Sequence, residues 1–83
     1  MLTAQQIEGW IRAGLACDHL AVDGDGRHFE ALIVSAAFAG LGRVQRQQRV
    51  NAALNDHFDS GVLHALSMQC LTPEEARQRG LLG

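Results

Sequence analysis

Cysteine is scarce in these 83 residues: only Cys17 and Cys70, far apart and outside any C-x-x-C spacing. A secreted domain this small usually carries several disulfides, so a reduced setting is expected. No apolar run approaches the length that spans a bilayer, and no basic-then-apolar leader follows Met1. The expectation is a soluble, cytoplasmic protein that does not engage a membrane. No excess of positive charge is present either. Seven basic against nine acidic side chains leave a formal charge of −2, which argues against a dedicated nucleic-acid binder but allows a local basic stripe. Enzyme signatures are also missing: there is no G-x-S-x-G, phosphate loop, dinucleotide fingerprint or spaced carboxylate pair. Ser35, Ser60 and Ser67 stand in no context that would activate a hydroxyl. A chain this short has little room for a deep pocket, so neither an enzyme nor a small-molecule substrate is expected.

What is present suits one small globular domain over residues 1–83. The composition is 47% hydrophobic and 19% charged, too apolar for a disordered chain. Thr3 is a good helix N-cap, and Gln6 can complete a capping box. Leu2, Ile7, Trp10, Ile11 and Leu15 recur at helical spacing, predicting a helix from about Thr3 to Ala16. From His19 the period changes to two. Leu20 and Val22 lead into Asp23-Gly24-Asp25-Gly26, a hairpin signal. A return strand over about His28 to Ser35 puts Phe29, Ala31 and Ile33 on one face and Leu32 and Val34 on the other. Such a strand suits a central place in a sheet.

Phe38 to Gly42 reads as a turn, and Arg43 to about Asp59 as a long helix stopped by Ser60-Gly61. Gln47, Val50, Asn51, Leu54 and Phe58 project to one face of it with Val44 beside them; Arg46, Arg49, Ala53 and Asp56 fall opposite. Val62 to Leu71 forms a third strand, with Val62, His64, Leu66, Met68 and Cys70 on one face. Thr72-Pro73-Glu74-Glu75 opens a short last helix ending near Arg79. The order is αββαβα, an α/β (more narrowly α+β) domain. Its three-stranded mixed sheet is packed by helices mainly on one face, and the long helix crosses over to make strands two and three parallel.

Several segments, in this order, resemble the BolA family. They are His28-Phe29-Glu30-Ala31-Leu32-Ile33-Val34-Ser35, Phe38-Ala39-Gly40, the helix Val44 to Leu54, His64-Ala65-Leu66-Ser67-Met68 and Thr72-Pro73-Glu74-Glu75. The short Asp-Gly-Asp-Gly hairpin and Arg-Val-x-x-Gln-Gln pattern look most like its bacterial IbaG branch. Many relatives have His-Arg where this chain has Gln47-Gln48, and an aromatic residue where it has Ala76. The hairpin also lacks the cysteine that some eukaryotic members use as a cluster ligand. The resemblance implies a fold similar to class II KH domains and a role in iron–sulfur homeostasis or stress response. It further implies heterodimers with a monothiol glutaredoxin bridged by a [2Fe–2S] cluster, and ties to transcription regulation and DNA-binding.

His64 is the leading metal-ligand candidate. Imidazole nitrogen is a competent borderline ligand for iron, and histidine in place of cysteine raises a cluster's potential. Taken alone, a histidine among Val62, Leu66 and Met68 reads as a half-buried, hydrogen-bonded residue; the family resemblance assigns it the cluster. His28, at the base of the hairpin, approaches His64 if strands two and three are neighbours. Two histidines do not close a metal site, but a cluster shared with a partner's thiolates supplies the rest. The isolated protein is not expected to hold the cluster. Imidazolium does not coordinate, so the complex is expected to weaken as pH falls through the range where histidines take up a proton.

Asp23 and Asp25 on a turn lack the further ligands of a calcium site. His19 and His57 are expected at the surface. Cys17 and Cys70 read as small buried hydrophobes, with Cys70 a remote candidate as a reserve ligand. Arg43, Arg46 and Arg49, with Gln45 and Gln48, form a slanting basic and amide-rich stripe along the long helix. Such a stripe suits a glutaredoxin-docking or solvated face; phosphate and adenine contacts are the alternative.

Overall fold

The structure is a computed structural model, and it describes residues 3–54 and 66–81. His57, Phe58, Ser60-Gly61, Val62 and His64 lie outside the described residues. The elements are α1 (Ala4–Gly14), β1 (His19–Gly24), β2 (Phe29–Val34), a single 3-10 turn (Ala36–Phe38), α2 (Arg43–Leu54), β3 (Leu66–Leu71) and α3 (Pro73–Gln78).

Local chemistry sets these boundaries. The Thr3 hydroxyl accepts from the Gln6 amide at 3.2 Å, and the Gln6 side chain accepts from the Thr3 amide at 2.9 Å. This reciprocal cap satisfies amides that the first helical turn leaves without partners. Thr72 and Glu75 repeat the device at α3, with Pro73 in the first turn, where its missing amide costs nothing.

The sheet order is β1-β2-β3, with β1 antiparallel and β3 parallel to β2. The register runs from His19↔Val34 to Gly24↔Phe29 on one side and from Phe29↔Leu66 to Val34↔Leu71 on the other. β2 is therefore central, as its two apolar faces require. Phe29, Ala31 and Ile33 join Ile7, Ile11 and Leu15 of the α1 segment and Val50 and Leu54 of α2 in one buried cluster with Leu20 and Phe38. Val34, Leu71 and Ala76 form a second cluster on the opposite face, beneath α3. The rest of that face stays open, presenting Ala21, Asp23, Glu30, Ser67 and Gln69.

Ser35 is the one buried polar side chain among the described residues. Its hydroxyl donates to the Ala16 carbonyl at 2.6 Å and accepts from the Ala37 amide at 3.1 Å. It ties the exit of α1 to the end of β2, and so has no free role as a nucleophile.

Three expectations need correction. The hairpin turns at Gly26-Arg27, two residues later than the Asp23-Gly24-Asp25-Gly26 signal suggests, because Gly24 belongs to β1 and pairs with Phe29. Gly26 has φ 94°, and the following Arg27 is not in the left-handed region, the pattern of a turn that matches strand twist. Val44 is 65% exposed rather than part of the buried face of α2. Ala53, expected on the solvated side, lies against Gly14 of α1, so close that a β-carbon at Gly14 would come within 2.6 Å of the Ala53 methyl.

Candidate docking and cluster-ligand site

Two regions gather the residues that the sequence singles out. The first is the hairpin. The Asp25 carboxylate accepts from the amides of Arg27 and His28 at 2.8 and 2.9 Å. The Asp25 amide donates to the His28 carbonyl at 3.2 Å, closing the turn. Those two amide hydrogen bonds hold the Asp25 carboxyl below its ordinary range. Asp23 accepts from the amide of Gly24 at 2.8 Å. Both aspartates are thus turn formers with Oδ1 committed to backbone, and no further ligand joins them among the described residues to make a hard-cation site.

The same bonds fix the backbone of His28, whose side chain is exposed. His28 immediately precedes Phe29, which opens the β2–β3 ladder against Leu66. His64 stands two positions before Leu66 in the sequence, outside the described residues. The structure therefore brings β2 and β3 together as neighbours, the condition for the two histidines to approach, and places one of them.

Neither cysteine offers a thiolate. Burial pushes the Cys17 thiol up, and it donates to the Leu15 carbonyl at 3.3 Å. Burial pushes Cys70 up to about 11, the Arg46 cation only partly opposing it. Burial thus disfavours the thiolate, the form in which a cysteine ligates, at Cys70. No group of three or more His, Cys, Asp or Glu among the described residues could hold a metal. As a host for a [2Fe–2S] cluster, the described part offers a single exposed imidazole, so a closed coordination sphere needs donors from elsewhere.

The second region is the start of α2. Arg43, Gln45 and Arg49 are exposed, as a surface stripe requires. Arg46 is not: its side chain keeps 13% of its exposure. Nε donates to the Leu41 carbonyl at 2.9 Å, and Nη1 to the Cys70 carbonyl at 3.0 Å. Nη1 also meets Glu75 Oε1 at 2.6 Å, and the guanidinium lies 6.0 Å from the centre of the Phe38 ring. Arg46, expected as a contact for phosphate or partner, is a clasp joining α2, the end of β3 and the cap of α3. The physical reason is that α3 and the end of β3 cover this side of α2, a surface the helical projection alone leaves to solvent. Held by Arg46 and by the Thr72 amide, the Glu75 carboxyl is lowered to about 2. Gln45 is likewise engaged, accepting from the Gly42 amide at 2.9 Å to cap its own helix.

A family model described as BolA-like protein matches residues 12–75. The chain belongs to the BolA family. It is 35% identical to the acid stress protein IbaG of Escherichia coli over 79 residues, covering 94% of both chains. It is 40% identical over 57 residues to the DNA-binding transcriptional regulator BolA of Haemophilus influenzae, covering 69% of this chain and 54% of that one. Among solved structures, a bolA protein homologue from Coxiella burnetii superposes with a TM-score of 0.81 at 37% identity, covering 93% of this chain and 99% of the other. The BolA fold and the likeness to the IbaG branch agree with the reading of the sequence. None of these relatives is named for a catalytic activity. No helix among the described residues of this BolA-family chain is long and apolar enough to cross a membrane.

Proposed function

We propose that this chain docks a monothiol glutaredoxin and lends imidazole nitrogen from His64, with His28 as the second candidate, to a [2Fe–2S] cluster held between the two proteins. The cluster would give the pair a redox-active and transferable inorganic group; this chain's part is to bind, orient and complete its coordination. The observation that carries the reading is the exposed His28, its backbone held by Asp25 beside the first pair of the β2–β3 ladder. Family membership supports it, since BolA-like proteins are implied to work as glutaredoxin heterodimers. The partial burial of Cys17 and Cys70 supports it too, because it disfavours their thiolates while His28 presents an exposed borderline donor. The test is anaerobic assembly of this chain with a monothiol glutaredoxin, iron and sulfide. His64→Ala is expected to change the visible-region circular dichroism and His28→Ala to change it less; a spectrum unmoved by His64→Ala overturns the ligand assignment.

A second reading, a DNA-binding regulator, is favoured by the exposed Arg43 and Arg49 and by the relative named as such a regulator. With Arg46 committed to Glu75, α2 has two arginines left for phosphates. The expected salt dependence is correspondingly shallow, a slope of about −1 to −2 in log K against log salt. A duplex titration near physiological salt checks it: binding lost in the Arg43→Ala, Arg49→Ala double variant sustains this reading, and absence of binding removes it.

A further inference from the structure

β3 is the terminal strand of the sheet, and among the described residues its outer edge is met only at its end, where Arg46 reaches the Cys70 carbonyl. Leu66-Ser67-Met68-Gln69-Cys70-Leu71 contains no charge and no proline, and its register with β2 runs without a bulge. The Leu71 carbonyl accepts from the Ser35 amide at 2.9 Å, so it faces β2. Backbone direction alternates along a strand, so the polar groups of Met68 and Cys70 face the outer edge. The hydrogen bond from Arg46 to the Cys70 carbonyl comes from that side and agrees with this. Among the described residues, no partner reaches the amide and carbonyl of Met68 or the amide of Cys70.

Met68 and Cys70 line a groove of about 590 Å³ between α2 and α3. Arg43 and Arg79, both exposed, stand at its walls, and neither makes an ion pair among the described residues. Glu75 is the one carboxylate of its lining among those residues, and Arg46 engages it. The groove thus combines unpaired strand backbone with uncompensated positive charge. Strand backbone selects an extended peptide, and the two free guanidiniums select carboxylates. A second copy joined edge to edge is less suited, because β3 brings no carboxylate to meet them. Nucleic acid would meet the arginines through its phosphates, but it has no repeating amide–carbonyl backbone with which to extend the strand ladder.

We propose that the outer edge of β3, in the groove between α2 and α3, takes an extended acidic segment of a partner protein as an added strand. This goes beyond the shared-cluster reading and does not depend on it, since the edge, the groove and the arginines involve no metal.

The test uses the full chain without iron and a ten-residue peptide alternating valine with glutamate as the probe. Expected are saturable binding, slowed hydrogen exchange at the Met68 and Cys70 amides, and at least a tenfold loss of affinity in the Arg43→Glu, Arg79→Glu double variant. Both positions are exposed, and an unchanged amide spectrum of the variant will show that it folds. A peptide methylated on the backbone nitrogens that would face β3 is expected not to bind. The proposal is overturned if the acidic peptide does not bind, or if it binds without protecting those two amides. It is equally overturned if the methylated or a lysine-for-glutamate peptide binds as well. Protection that appears with protein concentration alone would assign the edge to a second copy, and protection by a 20-base-pair duplex but not by the peptide would assign it to nucleic acid; each overturns the proposal.

Discussion

Arg46 shows how one side chain can change its meaning between sequence and structure. Placed three residues from Arg43 and from Arg49, it reads as the middle of a basic stripe. In the fold it spends its donors on Leu41, Cys70 and Glu75. Arg46→Met keeps the length of the stem but leaves two carbonyls without their donor, and is expected to lower stability by about 2 kcal/mol. Chemical denaturation checks this, and a change within experimental error contradicts it. Glu75 adds a pH signature. Its carboxyl is held at about 2 in the folded chain against an ordinary 4.5. A lowered folded value stabilises above the ordinary one, and that contribution fades as pH falls from 4.5 toward 2. The melting-temperature advantage over Glu75→Gln should be level above about pH 4.5 and shrink below it; an advantage independent of pH would refute the clasp's electrostatic part.

At the scale of elements, the caps and the alternating apolar residues made the architecture legible. Thr3 with Gln6 and Thr72 with Glu75 mark helix starts by chemistry that needs no tertiary context. The two-faced pattern of β2 placed it centrally. The hairpin turn was legible in kind but not in position, because Asp-Gly occurs twice and only pairing decides which glycine turns the chain. Here Gly24 lies against Phe29, and the Asp25 carboxylate collects the amides that follow Gly26. Helical projection locates the buried face of α2 at Val50 and Leu54, yet it cannot see that α1 approaches Ala53 or that α3 shelters Arg46. Those surroundings come from distant sequence. The contact between Gly14 and Ala53 makes a sharp test: Gly14→Ala would place a methyl 2.6 Å from the Ala53 side chain. Overpacking there is expected to cost about 1–3 kcal/mol, read by denaturant unfolding. Unchanged or raised stability would show that α1 and α2 separate freely.

The whole molecule is a BolA-family domain whose described residues close no metal site by themselves. Its two covered clusters lie on opposite faces of the sheet, and the open functional features gather elsewhere. His28 stands at the hairpin, Arg43 and Arg79 beside the free edge of β3. The fold was legible from periodicity and turn chemistry, whereas the role proposed for His64 rests on the family pattern alone, since one histidine in an apolar stretch of sequence has no signature of its own. The most direct measurement of that role is hyperfine spectroscopy of the reduced cluster, assembled between unlabelled glutaredoxin and this chain labelled with nitrogen-15 at histidine. Strong coupling to a labelled imidazole nitrogen, abolished by His64→Ala, is the expected result; a cluster that forms between the two proteins with no coupling to any nitrogen of this chain would contradict it.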